Sequence, residues 1–263
     1  MTTLSTLPIA VLDHGYVTPI EHWGSDERII EAARMSTAKG FQGWGQRPCD
    51  MCDGSGSTVG AFIDEICERC KGTGELPGDE KLLRYLWENR HATPFEMAGL
   101  VVEVQAPIFV FREWHRHRTQ SYNEMSARYV PLPDVNYVPT VERLLANAGT
   151  ANRQAASTGA ALTSDRANDF RAALARDYEN AEASYQASLA DGVPKELARL
   201  VLPVGRYSRM RASANLRNWL AFLTLRMDRA AQWEIRQYAN AVGQLIAARW
   251  PKTWELFVEG ARK

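Results

Sequence analysis

The four cysteines of this chain, Cys49, Cys52, Cys67 and Cys70, are its only ones, and they constrain its fold more than any other feature. They stand in "CDMCDGSGS" and "CERCKGTGE", two copies of C-x-x-C-x-G-x-G. Each pair predicts a tight knuckle whose sulfurs point at one centre. The glycines permit positive φ and let backbone amides approach the thiolates. Two such knuckles make a closed, tetrahedral structural site for zinc. Two local disulfides or a redox pair are the competing readings. The doubled glycine pattern and the clustering in one segment argue against both, since an extracellular disulfide framework spreads its cysteines. With all four thiolates on zinc, none remains as a nucleophile.

The rest of the chain has the substance of a globular protein. Its 263 residues, 45% of them hydrophobic, suffice for one large core or two modest ones. Lys plus Arg and Asp plus Glu balance at 31 each, so no global basic field attracts nucleic acid or a membrane. The opening "MTTLSTLPIAVLDHG" lacks a basic n-region and a long apolar run, and no apolar stretch is long enough to span a bilayer. The expectation is a soluble, cytoplasmic protein.

Periodicity predicts an α+β chain. "IAVLDHGYV" reads as one strand, and "SDERIIEAARMS" as a helix with Ser25 as N-cap. A polar, glycine-rich stretch over 39–79 carries the cysteines, with the small inserted module at 44–78 of a 1–263 domain. "DEKLLRYLWENRHATPFEMAG" is helical and breaks at Thr93-Pro94. "LVVEVQAPIFVFREW" reads as a strand throughout. Residues 164–190 form a long helix. "DGVPKELARLVLP" restarts a helix with Pro194 in its first turn. The C-terminal stretch from "SANLRNW" is two helices or one bent helix, divided near Asp228.

"RHRTQSYNEMSARYV" follows the apolar run "APIFVF" and is denser in donors than a surface needs. Arg116, Arg118 and Arg128 are interleaved with His117, Asn123, Glu124, Ser121 and Ser126. Glu124 can pair with one or two of the arginines. The excess suits a phosphate, which guanidinium groups match bidentately. No G-x-G-x-x-G occurs, which argues against a Rossmann dinucleotide site. Ser126 has no evident base beside it in the sequence, so the hard chemistry falls to a cofactor.

R-H-R, seven residues, then Ser, here Arg116-His117-Arg118 and Ser126, resembles the signature of flavin-dependent thymidylate synthases. "AARMS", "RHATPFE", "APIFVFREWHRHR", "KELARLVLP" and "FLTLRMDRAAQWEIRQYA" resemble further motifs of that family, in the same order. The cysteine segment lies between the first two, as an insertion not typical of the family, and its knuckles are similar to those of chaperone cysteine-rich domains. The resemblance implies a central antiparallel sheet flanked by helices, and a homotetramer with active sites at subunit interfaces. It implies transfer of a one-carbon unit from methylenetetrahydrofolate to C5 of dUMP, with reduction by FAD that NADPH recharges. It places dUMP on Glu113, Arg116, Glu124, Ser126, Arg128, Arg199 and Arg226. Arg128 and Arg199 would hold the phosphate, and Arg226, Ser126 and Glu124 are the implied catalytic set. FAD falls on Ser36, His91, Thr93, His117, Arg118, Asn123, Asn215 and Arg217.

Three positions depart from the family's usual residues. Glu113 stands for Gln, and needs Arg112 or His115 as a partner if it lies near a phosphate. Ala221 stands for Asn and Ala230 for His. These changes motivate a second expectation, C5-hydroxymethylation of a deoxypyrimidine nucleotide. A third is a degenerate, zinc-containing nucleic-acid-binding or regulatory protein, which the zero net charge opposes. Trp219, Phe222 and Trp233 fall at helical spacing and read as core, with Trp114 as a candidate for stacking on flavin or folate.

Overall fold

The computed structural model describes residues 7–60, 64–146 and 161–261. The segment read as one N-terminal strand is a hairpin of β1 (Ile9–Val11) and β2 (Gly15–Trp23), antiparallel with Val11 opposite Gly15. Leu12, left-handed at φ 59, makes the reversal that the apolar pattern does not reveal. Helix α1 (Asp26–Arg34) starts as expected, with the Ser25 hydroxyl accepting the Arg28 amide.

The cysteine segment folds as two short antiparallel pairs. Strand β3 (Arg47–Pro48) pairs with β6 (Glu75–Leu76), and β4 (Ser57–Val59) with β5 (Asp64–Ile66). Helix α2 (Glu80–Glu88) follows and stops at Asn89, before the predicted break. Pro94 instead sits in the first turn of a short helix, α3 (Thr93–Glu96), where its missing amide costs nothing.

Strand β7 (Gly99–Pro107) buries Leu100, Val102, Val104 and Ala106 by strict alternation. Beyond it the strand reading fails, because residues 108–114 are helix α4 (Ile108–Trp114). Pro107 cannot donate to the ladder and so ends the strand. The Ile108 and Phe109 amides are then taken by the carbonyls of Arg206 (2.9 Å) and Val204 (3.0 Å). Val110, Phe111 and Trp114 bury one helical face. The signature arginines therefore leave a helix, not a strand.

Strand β8 (Ser121–Glu124), helix α5 (Val141–Leu145) and the long α6 (Ser164–Ala190) come next. Then α7 (Lys195–Ala198), preceded by Pro194 at its N-cap, runs into a 3-10 turn over Arg199–Val201. Strand β9 (Tyr207–Asn215) pairs antiparallel with β8, Glu124 opposite Met210. The chain ends in α8 (Leu216–Arg226), α9 (Trp233–Arg249) and α10 (Pro251–Ala261), with the expected division at 227–232.

Two compact units result. Unit 1 comprises 1–22, 100–214 and 218–245, and unit 2 comprises 23–99, 215–217 and 246–263. The five-stranded sheet, ordered β1-β2-β7-β9-β8 with antiparallel pairs at both edges, belongs chiefly to unit 1. Helices flank it, and Trp114, Trp219, Phe222 and Tyr238 fill its core. Buried Arg206 ties the 134 loop to α6 through Asp134 and Glu182, each at 2.6 Å. In unit 2, Ile29, Ile30, Leu83, Phe95, Trp250 and Phe257 are buried. Asp26 caps α10 there: its carboxyl accepts the Lys252 amide (2.9 Å) and the Thr253 amide (3.1 Å), and burial raises its pKa in spite of these bonds. Among the described residues, no helix is long and apolar enough to cross a membrane.

Candidate functional site

Arg226, in the last turn of α8, is the best-fixed side chain of the predicted set. Its Nε donates to His117 Nε2 at 2.8 Å, Nη1 to Glu113 Oε2 at 2.8 Å, and Nη2 to the Glu113 carbonyl at 2.9 Å. Helix α4 and the turn after it present both partners. Glu113 thus pairs with Arg226, and not with the expected Arg112 or His115. Three of the five guanidinium N–H groups are used, which leaves one on each Nη for a ligand.

His117 is held from three sides. Its ring lies edge-on to Phe222, with centroids 4.9 Å apart, and its carbonyl accepts the Tyr122 hydroxyl at 2.6 Å. Burial, and then the charge of Arg226, push its pKa down to about 4 against the opposing pull of Glu113. It is a neutral acceptor here. Burial raises the Tyr122 phenol to about 12, so that hydroxyl stays a donor.

The phosphate pair expected from the sequence meets at one acidic residue. Arg128 Nε contacts Glu196 Oε2 at 3.1 Å, and Arg199 Nε donates to the Glu196 carbonyl at 3.3 Å. Ser126 Oγ accepts the Arg128 amide at 3.3 Å. Among the described residues no base hydrogen-bonds Ser126. Arg116 and Arg118 are exposed and make no ion pair among the described residues. Asn123 and Glu124 are neighbours on β8, so their side chains point to opposite faces.

His117, Arg118 and Asn123 belong to unit 1. Ser36, His91, Thr93, Asn215 and Arg217 belong to unit 2. Ser36 is exposed in the 3-10 turn Met35–Thr37, His91 packs edge-on to Tyr85 with centroids 5.5 Å apart, and Arg217 pairs with Glu96 at 3.4 Å. Trp114 is not available for stacking on a ligand. It is fully buried, stacked on Phe222 at 4.7 Å, and donates to Gln120 Oε1 at 3.0 Å. Trp219 and Phe222 are core, as expected.

Sequence reasoning missed Glu196 and Tyr122. Glu196 lies 68 positions from Arg128, and no local pattern ties the two. The acidic residue inside "KELARL", beside an arginine already singled out, was the available signal.

The four cysteine sulfurs lie within 4.8 Å of one another and are buried. Cys49 and Cys67 are 3.8 Å apart, and Cys52 and Cys70 3.6 Å. A zinc–sulfur bond of about 2.3 Å gives a tetrahedral edge of about 3.8 Å, so the donor set fits that ion. Gly56 (φ 81) and Gly74 (φ 74) turn their amides onto Cys52 Sγ and Cys70 Sγ, each at 3.3 Å. A Cβ on either would lie within 2.5 Å of an opposing carbonyl oxygen. Burial opposes ionisation of Cys70, but the Gly74 amide and the neighbouring sulfurs outweigh it and hold its thiol at about 7.

Residues 19–252 match the family described as thymidylate synthase complementing protein, Thy1. A flavin-dependent thymidylate synthase of Thermus thermophilus is 36% identical over 253 residues, 96% of this chain and 79% of that protein. One from Pseudothermotoga lettingae is 32% identical over 96% of this chain and 94% of its own. A solved structure, the UMP/dUMP methylase PolB from Streptomyces cacaoi bound with 5-Br UMP, is similar with a TM-score of 0.73. It shares 31% identity and covers 97% of this chain and 98% of its own.

Proposed function

Since the chain belongs to the thymidylate synthase complementing protein family, we propose a division of labour among its residues for that family's reaction. The enzyme is a flavin-dependent thymidylate synthase, a methyltransferase that makes dTMP from dUMP with FAD. The comparisons favour neither C5-hydroxymethylation nor nucleic-acid binding.

The observation that carries the reading is the Arg226 fork. Glu113 and His117 fix the guanidinium, and its two remaining N–H groups face the uracil carbonyl edge. There they stabilise negative charge that develops as C5 becomes nucleophilic. Arg128 and Arg199 take the phosphate, with Arg116, Glu124 and Ser126 completing the nucleotide contacts. When bound, FAD supplies the hydride chemistry. The exposed guanidinium of Arg118, which makes no ion pair among the described residues, suits a flavin pyrophosphate. Asn123, His117, Ser36, His91, Thr93, Asn215 and Arg217 complete that set. Methylenetetrahydrofolate is the one-carbon donor and NADPH the reductant.

In this reading residues 44–78 are a zinc module inserted in a domain that spans the chain, and zinc occupies the four thiolates. The assembly is a homotetramer. Leu197, Leu200 and Tyr129, which are 53%, 77% and 75% exposed beside the phosphate arginines, support a subunit contact there.

The test is anaerobic incubation with FAD, NADPH, methylenetetrahydrofolate and dUMP, followed by nucleotide mass. A methyl-sized gain is expected. UMP belongs in a parallel reaction, because the similar solved structure is a UMP/dUMP methylase. An unchanged dUMP with a UMP that gains mass would reassign the substrate.

A further inference from the structure

Asp79 stands one residue past the inserted module and is 1% exposed. Its Oδ1 pairs with Arg34 Nη2, and its Oδ2 accepts the Gln42 amide at 2.7 Å. Its own amide donates to the Gly43 carbonyl at 3.0 Å. One buried carboxylate therefore closes the segment between residues 34 and 42, and Ser36 lies on that segment. Among the described residues, the segment is further supported at its end, where Gln42 Oε1 accepts from Arg47 Nη2 at 2.8 Å and Phe41 packs edge-on to Trp44, and by two local bonds. Thr37 Oγ1 donates to the Arg34 carbonyl at 3.0 Å, and the amide of left-handed Ala38 donates to the Met35 carbonyl at 3.3 Å.

The stems of the insertion are tied to the same place. Glu80 accepts the Gly45 amide at 2.9 and 3.0 Å, Trp44 Nε1 donates to Glu27 Oε1 at 2.8 Å, and Lys252 lies over the Trp44 ring at 5.8 Å. Among the described residues, these ties are joined to the cysteines by the two-residue ladder of β3 and β6, too short to stand alone, with Leu76 packed on the cysteines and Arg47 Nη2 donating to Gln42 Oε1 at 2.8 Å. A metal centre that joins Cys49 and Cys52 to Cys67 and Cys70 would hold that ladder closed.

We propose that Asp79 is a positioning residue that latches the Ser36 segment for the flavin, and that the metal-closed knuckle keeps Asp79 in register. The knuckle then serves cofactor binding rather than chemistry. The proposal rests on the reading of Ser36 as a flavin contact and of the cysteines as a metal site.

The experiment uses the full-length, metal-loaded chain. FAD affinity is read by quenching of flavin fluorescence. At saturating FAD, dUMP affinity is read by calorimetry, and Gln42 amide exchange by hydrogen exchange. Asp79→Asn keeps the shape and removes the charge. It should weaken FAD about tenfold, the scale of one charge-assisted hydrogen bond. It should also speed Gln42 exchange and leave dUMP affinity within about twofold, a split that general loss of structure would not give. Unchanged FAD affinity in Asp79→Asn overturns the latch, and so does equal weakening of both ligands. Ser36→Ala separates the underlying reading: if it too leaves FAD affinity unchanged, the flavin assignment of Ser36 has failed. Should Asp79→Asn give no cooperative melt, the wild-type chain stripped by a chelator decides. A matching loss of FAD affinity with dUMP affinity kept supports the latch, and FAD affinity equal to that of the loaded chain overturns it.

Discussion

Arg226 donates its Nε–H to His117 Nε2 at 2.8 Å, so a histidine meets a guanidinium as a hydrogen-bond acceptor. The arrangement demands a neutral imidazole with its proton on Nδ1. It also joins a residue the sequence assigns to flavin with one it assigns to dUMP.

The first prediction follows from that proton. Burial, and then the positive charge of Arg226, disfavour the imidazolium, so the pKa of His117 falls from 6.5 to about 4 in spite of Glu113. The unfolded chain takes up this proton near 6.5 and the native chain only near 4. The stability this group contributes is thus whole above pH 6.5 and drains as pH falls toward 4. Imidazole NMR should show His117 titrating near 4, well below its ordinary 6.5. Titration near 6.5 would break the assignment.

Glu113 offers a second prediction. Its carboxylate is 42% exposed and offsets the charge of Arg226, which is 15% exposed. Glu113→Gln keeps an acceptor for Nη1 and returns the full positive charge to the fork. Calorimetry should show dUMP binding about two- to fivefold tighter, the scale of a partly exposed ion pair. His117 should titrate lower still, because Glu113 is the group that raises it. Weaker dUMP binding would mean that the carboxylate itself touches the nucleotide.

Local chemistry decided what was legible. Ser25 and the long helix after Thr163 carry their own caps and periodicity, and both stand where the sequence puts them. The cysteine cluster was legible because its glycines repeat at fixed offsets. Helix α4 was not, because Ile, Phe and Val suit a strand, and only the backbone of Val204 and Arg206 makes its first turn favourable. Within the candidate site, the pairings were not legible. Glu113 finds Arg226 across 113 positions, and nothing local foretells it.

The cysteine cluster gives a third prediction. A chelator should release about one zinc per chain and expose all four thiols together, since the four share one centre. Cys52→Ser should lower the melting temperature and abolish retention of the metal. Thiols that react one at a time, with metal retained, would point to a different arrangement.

The last prediction concerns Arg128, Arg199 and Glu196. The Arg128–Glu196 pair is 56% and 52% exposed, so it is worth at most about 1 kcal/mol and a phosphate displaces it easily. Arg128→Ala removes a charge-assisted contact and should weaken dUMP about 10- to 100-fold. Glu196→Gln removes the competitor and should tighten dUMP by no more than about fivefold. The decisive result is the cycle. If Glu196 acts by occupying Arg128, its effect disappears in the Arg128→Ala background, because there is no guanidinium left to release. A Glu196→Gln effect that persists without Arg128 would mean that the carboxylate acts on dUMP by another route, since the Arg199 Nε bond goes to the main-chain carbonyl of Glu196 and survives the substitution.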